Sequence, residues 1–234
     1  MRTIVVTGGA SGIGAAVTAH LRALGDRVAV LDRTEGADLV ADVRDEPAVR
    51  AALARVEAET GPVDAVVHSA ALAQHGELVA DLPTADFAAL VDVNLVGSYV
   101  VARAAADLMR PRGTGSIVLL SSPSSFRARP GMAAYSASKA GVVALAKCLA
   151  VELGGDGIRV NCVSPGVTLT PLMLDSWGAD GPDDAFVMAN AQARIPIGRL
   201  AVPEEVATAV AYLVSTDAAM ITGHDLVVDG GRSL

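Results

Sequence analysis

Tyr135 and Lys139 stand four residues apart in "YSASK", at the start of a helical pattern. That spacing puts both side chains on one face of a helix. A free phenol loses its proton near a pH of about 10, too high for a general base at neutral pH. An ammonium ~4 Å away is worth roughly 4 kcal/mol at an effective dielectric of about 20, or about three pKa units. The pair therefore has the chemistry to move a proton at a hydroxyl or carbonyl. Ser122 closes the run "SIVLLSS" thirteen residues before Tyr135, and its hydroxyl can hold a substrate oxygen. Tyr-x-x-x-Lys is a short pattern, however, and an ordinary surface pair on a helix has the same spacing.

A second stretch with chemical potential is "TGGASGIG", Thr7–Gly14, lying between an apolar run and a helical pattern. Glycine weakens both strands and helices, so the cluster needs a reason. A tight strand-to-helix turn aims free N–H groups and the positive end of the helix dipole at one point, which suits an anion such as a pyrophosphate. The spacing is not G-x-G-x-x-G, and no Gly-Lys-Ser/Thr follows, so this is not a Walker loop. A flexible turn fits the glycines about as well. Asp32 ends the next apolar run, 18 residues past Gly14. From there a carboxylate can accept from an adenosine ribose and repel a 2′-phosphate, while the adjacent Arg33 is a residue type that holds one.

The elements that must position these residues alternate regularly. "RTIVVT", "RVAVLD", "DAVVHS", "SIVLLSS", "RVNCVS" and "DLVVDG" read as buried strands and "ADLVADV" as a shorter one. Helical patterns begin near Ile13 and after Asp45, a cap with Pro47 just inside, and cover roughly 84–109, 134–153 and 203–214. Such alternation predicts right-handed crossovers and a doubly wound parallel α/β sheet, covered by helices on both faces in three layers. Ligands bind such sheets outside the carboxyl ends of the strands.

Composition narrows the classes further. The 234 residues are 52% apolar and 3% aromatic, with no linker or internal repeat, which fits one domain over residues 1–234. A net charge of −8 argues against a nucleic-acid partner. No uninterrupted apolar run reaches spanning length, so no membrane partner is expected. The chain enters its first strand without a leader pattern, which predicts a cytoplasmic protein. Cys148 and Cys162 sit in apolar surroundings and read as buried thiols. The four histidines show no metal-ligand spacing.

Taken together, the chain resembles the short-chain dehydrogenase/reductase family, of the compact single-domain, Rossmann-like kind. The motifs are "TGGASGIG", "ADV" with Asp42 and Val43, "VNLVG" with Asn94, Ser122, "YSASK", "NCVSPGVTLT" (Asn161–Thr170) and "ITGHDLVVDGG". The resemblance implies hydride transfer to or from NAD and a catalytic set of Asn94, Ser122, Tyr135 and Lys139. Tyr135 would exchange the proton and Ser122 would orient the carbinol or carbonyl. Lys139 would lower the tyrosine's pKa and hold the nicotinamide ribose, and Asn94 would support a water path to the lysine. Cofactor contacts are implied for Gly8, Ser11, Gly12, Ile13, Gly14, Asp32, Asp42, Val43, His68, Ala70, Tyr135, Lys139, Pro165, Gly166, Thr168 and Thr170. Two departures stand out: His68-Ser69-Ala70-Ala71 where the family usually has Asn-Asn-Ala-Gly, and Thr168 where it often has Ile. Members are often homotetramers, and the nearly all-round apolar helix "AGVVALAKCLAVEL" predicts a two-fold partner here.

Substrate choice rests on less. Residues 171–196 are Met-rich, Gly-broken and acidic, the composition of a mobile helical lid. Met173, Trp177 and Met188 either wall the pocket or pack the lid's own core. Arg127 and Arg129 lie on the loop between Ser122 and Tyr135, and Arg129 is the candidate partner of a substrate carboxylate. The shortened region "LDRTEGADLVADV", the run Arg129-Pro130-Gly131-Met132-Ala133-Ala134-Tyr135 and the short tail after "VVDGG" resemble the 2,3-dihydro-2,3-dihydroxybenzoate dehydrogenases. They imply oxidation of a cyclic alcohol or dihydrodiol. The rival readings are an NADPH-dependent ketoreductase of acyl thioesters or small ketones, and a nucleotide-binding protein that has lost catalysis.

Overall fold

A computed structural model describes residues 1–177, 184, 185, 189 and 193–234. The strands are β1 (Thr3–Thr7), β2 (Arg27–Asp32), β3 (Leu39–Val40), β4 (Val63–His68), β5 (Gly115–Leu120), β6 (Ile158–Pro165) and β7 (Asp225–Val228). All pair in parallel, in the order β3-β2-β1-β4-β5-β6-β7. The chain runs outward from β1 to β3, then returns to place β4 on the other side of β1. That reversal opens a crevice at the carboxyl ends of β1 and β4, where Thr7 pairs with His68.

Helices α1 (Gly12–Ala23) and α7 (Pro203–Val214) cover one face of the sheet. Helices α2 (Glu46–Thr60), α4 (Gly97–Met109) and α5 (Ala133–Leu153) cover the other. Alternate residues of one strand feed the two cores: Val5 and Ile117 one, Ile4, Val6 and Val118 the other. Burial on both faces is why the strands read as unbroken apolar runs. Asp45 caps α2 as expected, accepting from the Ala48 N–H at 3.0 Å.

Three features differ from the sequence expectation. The helical pattern over 84–109 is divided into α3 (Thr84–Val91), a π-helical turn (Asp92–Val96) and α4, and Asn94 lies in that turn. By length and composition, the continuous helix Thr84–Arg112 is long and apolar enough to cross a membrane. Its apolar side chains instead include Val101, Ala105 and Met109, fully buried against the sheet. Cys148 is exposed on α5, and only Cys162 is buried. Periodicity alone could not separate the covered from the open side of so apolar a helix.

Candidate active site

The carboxyl end of β5 leads into Ser122, and α5 begins at Ala133, so the two segments meet at the sheet edge. The Ser122 oxygen accepts from the Ser124 N–H at 3.2 Å, and its hydroxyl lies close enough to the Tyr135 phenol to lower it. Lys139 is buried one turn further along α5. Its ammonium donates to the Leu120 carbonyl at 2.8 Å and lies 5.8 Å from the centre of the Tyr135 ring. Burial lowers Lys139 to about 8. Burial raises Tyr135, against the opposing pull of the Ser122 hydrogen bond and the Arg129 charge. The Lys139 ammonium is held by a backbone carbonyl, and the charge that pulls the phenol down here is that of Arg129.

Asn94 is fully buried, and both ends of its amide are engaged. Its Oδ1 accepts from the Leu72 N–H at 2.8 Å, and its Nδ2 donates to the Leu72 carbonyl and to Ser138 Oγ, each at 3.1 Å. Ser138 Oγ in turn donates to the Tyr135 carbonyl at 2.8 Å. The π turn thus clamps the segment after β4 to the helix that carries Tyr135. Gln74 was not singled out from the sequence. Its buried Oε1 accepts from the Ala134 and Tyr135 N–H groups at 3.1 and 3.2 Å, capping α5 from 60 residues away. No local signal marks that contact.

The glycine turn is built for close approach. Gly8 has φ +66°, and a Cβ there would lie 2.6 Å from the Ala70 nitrogen; at Gly14 it would lie 2.1 Å from the Gly8 oxygen. These two glycines let β1, α1 and the end of β4 pack together. A Cβ on Gly12 would meet only Thr170, at 3.6 Å, so this side of the turn is open beside the start of α6 (Pro171–Trp177). The Ser11 hydroxyl makes no cap hydrogen bond to α1. Asp32 reaches back to the turn: its Oδ2 accepts from the Ala10 N–H at 3.1 Å, and its Oδ1 accepts from Thr34. Burial would raise its carboxyl, but those hydrogen bonds outweigh it and hold the group below the usual range.

Other expected cofactor residues divide. Asp42 is ion-paired with Arg44 at 2.7 Å, which lowers it to about 2, and Val43 is buried against Gly97. His68 Nδ1 bonds to Thr7 Oγ1 at 2.7 Å, while its buried Nε2 has no hydrogen-bond partner among the described residues. Burial holds His68 near 3, so it is neutral. A Cβ on Gly166 would meet Asp229 Cβ at 2.6 Å, which packs the β6 end against the turn after β7. Thr168 is buried, and Thr170 Oγ1 accepts from the Met173 N–H at 3.2 Å.

A cavity of about 340 Å³ opens beside these parts, and Asn94, Asp32, Asp42 and His68 are not among its lining residues. Ile13, Ser122, Tyr135, Lys139, Pro165, Gly166, Thr168 and Thr170 line it, as do Arg127, Arg129, Met173 and Trp177. Met173 and Trp177 also pack with Ile195 and Leu200 in a small separate core, so they serve both the pocket wall and that core. Met188 lies outside the described residues. Arg129 is exposed, yet its guanidinium loses part of its solvation, which lowers it. Tyr135 opposes that shift, and Arg127 and Arg194 add to it.

A family model described as Enoyl-(Acyl carrier protein) reductase matches residues 8–233. The chain belongs to the short-chain dehydrogenases/reductases. It is an oxidoreductase acting on CH–OH groups and uses a nicotinamide cofactor. It is similar to D-threitol dehydrogenase of Mycolicibacterium smegmatis, at 39% identity over 100% of this chain and 93% of the relative. It is 40% identical to cis-4-hydroxycyclohexanecarboxylate dehydrogenase of Sinomonas cyclohexanicum, over 98% and 96%. It is 36% identical to 2,3-dihydro-2,3-dihydroxybenzoate dehydrogenase of Bacillus subtilis, over 98% and 95%. Among solved structures, levodione reductase superposes with a TM-score of 0.92 at 29% identity, over 99% of this chain and 97% of that one. The open turn at Gly12, Asp32 at the end of β2 and the cavity beside Ser122 and Tyr135 fit a nicotinamide dinucleotide.

Proposed function

We propose that the protein is an NAD-dependent dehydrogenase of a carboxylated alicyclic alcohol or dihydrodiol. The observation that carries this reading is Arg129 lining the same cavity as Ser122 and Tyr135. A guanidinium fork matches a carboxylate in two parallel hydrogen bonds, which would fix one end of a ring while its hydroxyl meets the tyrosine. Two of the relatives named above carry both groups in their printed substrate names; the threitol enzyme does not.

In this reading Ser122 Oγ donates to the substrate oxygen and orients it. Tyr135 Oη exchanges the hydroxyl proton as the carbonyl forms. A nicotinamide held beside them supplies the hydride chemistry. Lys139 would hold the ribose and lower the phenol, and Asn94 would support the path by which the lysine exchanges protons. Gly8, Gly12 and Gly14 shape the pyrophosphate cradle, with Ser11, Ile13 and Thr170 at its rim. Asp32 receives the adenosine ribose; Asp42, Val43, His68 and Ala70 line the adenosine side through backbone and packing; and Pro165, Gly166 and Thr168 face the carboxamide. The reading treats residues 1–234 as one domain with a lid over about 171–196, working as a cytoplasmic homo-oligomer.

A panel of cyclic alcohols with and without a carboxylate, followed at the nicotinamide absorbance with both cofactors, tests it. Arg129→Ala is expected to raise KM for the carboxylated alcohol about thirtyfold, the equivalent of roughly 2 kcal/mol. A loss under about 0.5 kcal/mol would make Arg129 a solvated loop residue. NAD is expected to outcompete NADP, and Asp32→Ala to narrow that preference. Tighter NADP binding by the native protein would favour the ketoreductase reading instead, and no turnover of any alcohol or ketone would favour the silent one.

A further inference from the structure

We infer, on the carboxylated-alcohol reading above, that Arg232 is a second guanidinium of the substrate pocket and binds the carboxylate together with Arg129.

Arg232 lies on the turn that follows β7 and lines the same cavity as Tyr135 and Arg129. The turn is held in place from several sides. The Asp229 carboxylate accepts from the Gly231 and Ser233 N–H groups, each at 2.8 Å. The Arg127 guanidinium donates to the Arg232 carbonyl. A Cβ on Gly231 would lie 3.0 Å from Pro196 Cγ, so the turn also packs against Pro196. Arg127 is therefore a strut for the turn, and the Arg232 side chain is presented by a braced backbone.

Arg232 Nη1 is buried and has no hydrogen-bond partner among the described residues. Native structures rarely leave a buried donor unsatisfied, because its desolvation is not offset. Burial and the neighbouring charges of Arg129, Arg194 and Arg127 all work against the Arg232 cation. Asp229 opposes them, but both its oxygens are already used by the turn. A carboxylate entering the cavity relieves both problems at once. It accepts from the orphaned nitrogen and neutralises charge between two guanidinium groups. Sequence spacing could not reveal this, because Arg129 and Arg232 are 103 residues apart.

The test compares kcat/KM for a hydroxycyclohexanecarboxylate and for the matching uncharged cyclohexanol, on the full chain with NAD. Arg232→Gln is expected to lower the wild-type preference for the carboxylated alcohol at least about tenfold, with Arg232→Lys recovering part of it. NAD binding, read by nicotinamide fluorescence, should be retained. If Arg129→Gln lowers the preference and Arg232→Gln leaves it within about twofold, the carboxylated reading stands and the role of Arg232 falls. If the wild type uses both alcohols equally, the carboxylate reading falls and takes Arg232 with it. Should Arg232→Gln fail to fold, arginine modification by butanedione on the native protein decides. Cyclohexanecarboxylate is expected to shield Arg232 where cyclohexanol does not, and equal modification would overturn the inference.

Discussion

Tyr135 and Lys139 are shifted in opposite directions by the same cause. Burial penalises the charged form of each, so it raises the phenol and lowers the ammonium. The lysine carries a clear pH signature. Its value falls from 10.5 in an exposed chain to about 8 in the fold. The unfolded chain therefore binds more protons between those values, and stability gains as pH rises through that window. Relative to Lys139→Met, wild-type stability is expected to climb between pH 8 and 10.5, by roughly 3 kcal/mol at most. Paired urea titrations at several pH values would show it, and a flat difference would mean the ammonium is solvated. Tyr135→Phe removes only the phenol oxygen. It is expected to abolish nearly all turnover while nicotinamide fluorescence still reports cofactor binding. Undiminished activity in that variant would reject the proton-transfer role.

At the scale of elements, α5 is held at its start by borrowed partners. Met132 provides no cap at its N-terminus, and Gln74 accepts from two of its first N–H groups instead. The loop bearing Arg129 is seated on the same segment: a Cβ on Gly131, at φ +72°, would lie 2.4 Å from the Gly76 oxygen. The residues after β4 thus position both the start of α5 and the loop that carries Arg129, and Asn94 clamps them from the π turn. Gln74→Leu leaves two buried donors without an acceptor, a cost of about 1–3 kcal/mol. The expected result is a lower melting temperature and a reduced kcat, with little change in the KM for NAD. Wild-type kcat in a correctly folded Gln74→Leu would separate the cap from catalysis.

For the molecule as a whole, the outer face of α5 is the surface on which a prediction about assembly rests. Ala137, Ala144, Cys148 and Val151 fall on one side of the helix and are exposed, Val151 at 84%. A stripe of small and apolar residues lets two helices approach closely, which suits a two-fold contact between identical chains. Light scattering at micromolar concentration is expected to give a dimer or tetramer, with Ala144→Glu shifting it to smaller species; a wild-type monomer would rule the contact out. The seven strands, the α2 cap at Asp45 and the Ser122, Tyr135 and Lys139 set were legible along the chain. Burial on both faces writes unbroken apolar runs, and capping and helical spacing are local. The strand order, the π turn at Asn94, the Gln74 cap and the presence of Arg129 and Arg232 in one cavity were not. Each depends on residues far apart in sequence, brought together only when β4 returns beside β1 and the crossovers set which loops share the carboxyl edge. The raised phenol belongs with them, because spacing places a lysine near a tyrosine but only the packed interior decides how much water either retains.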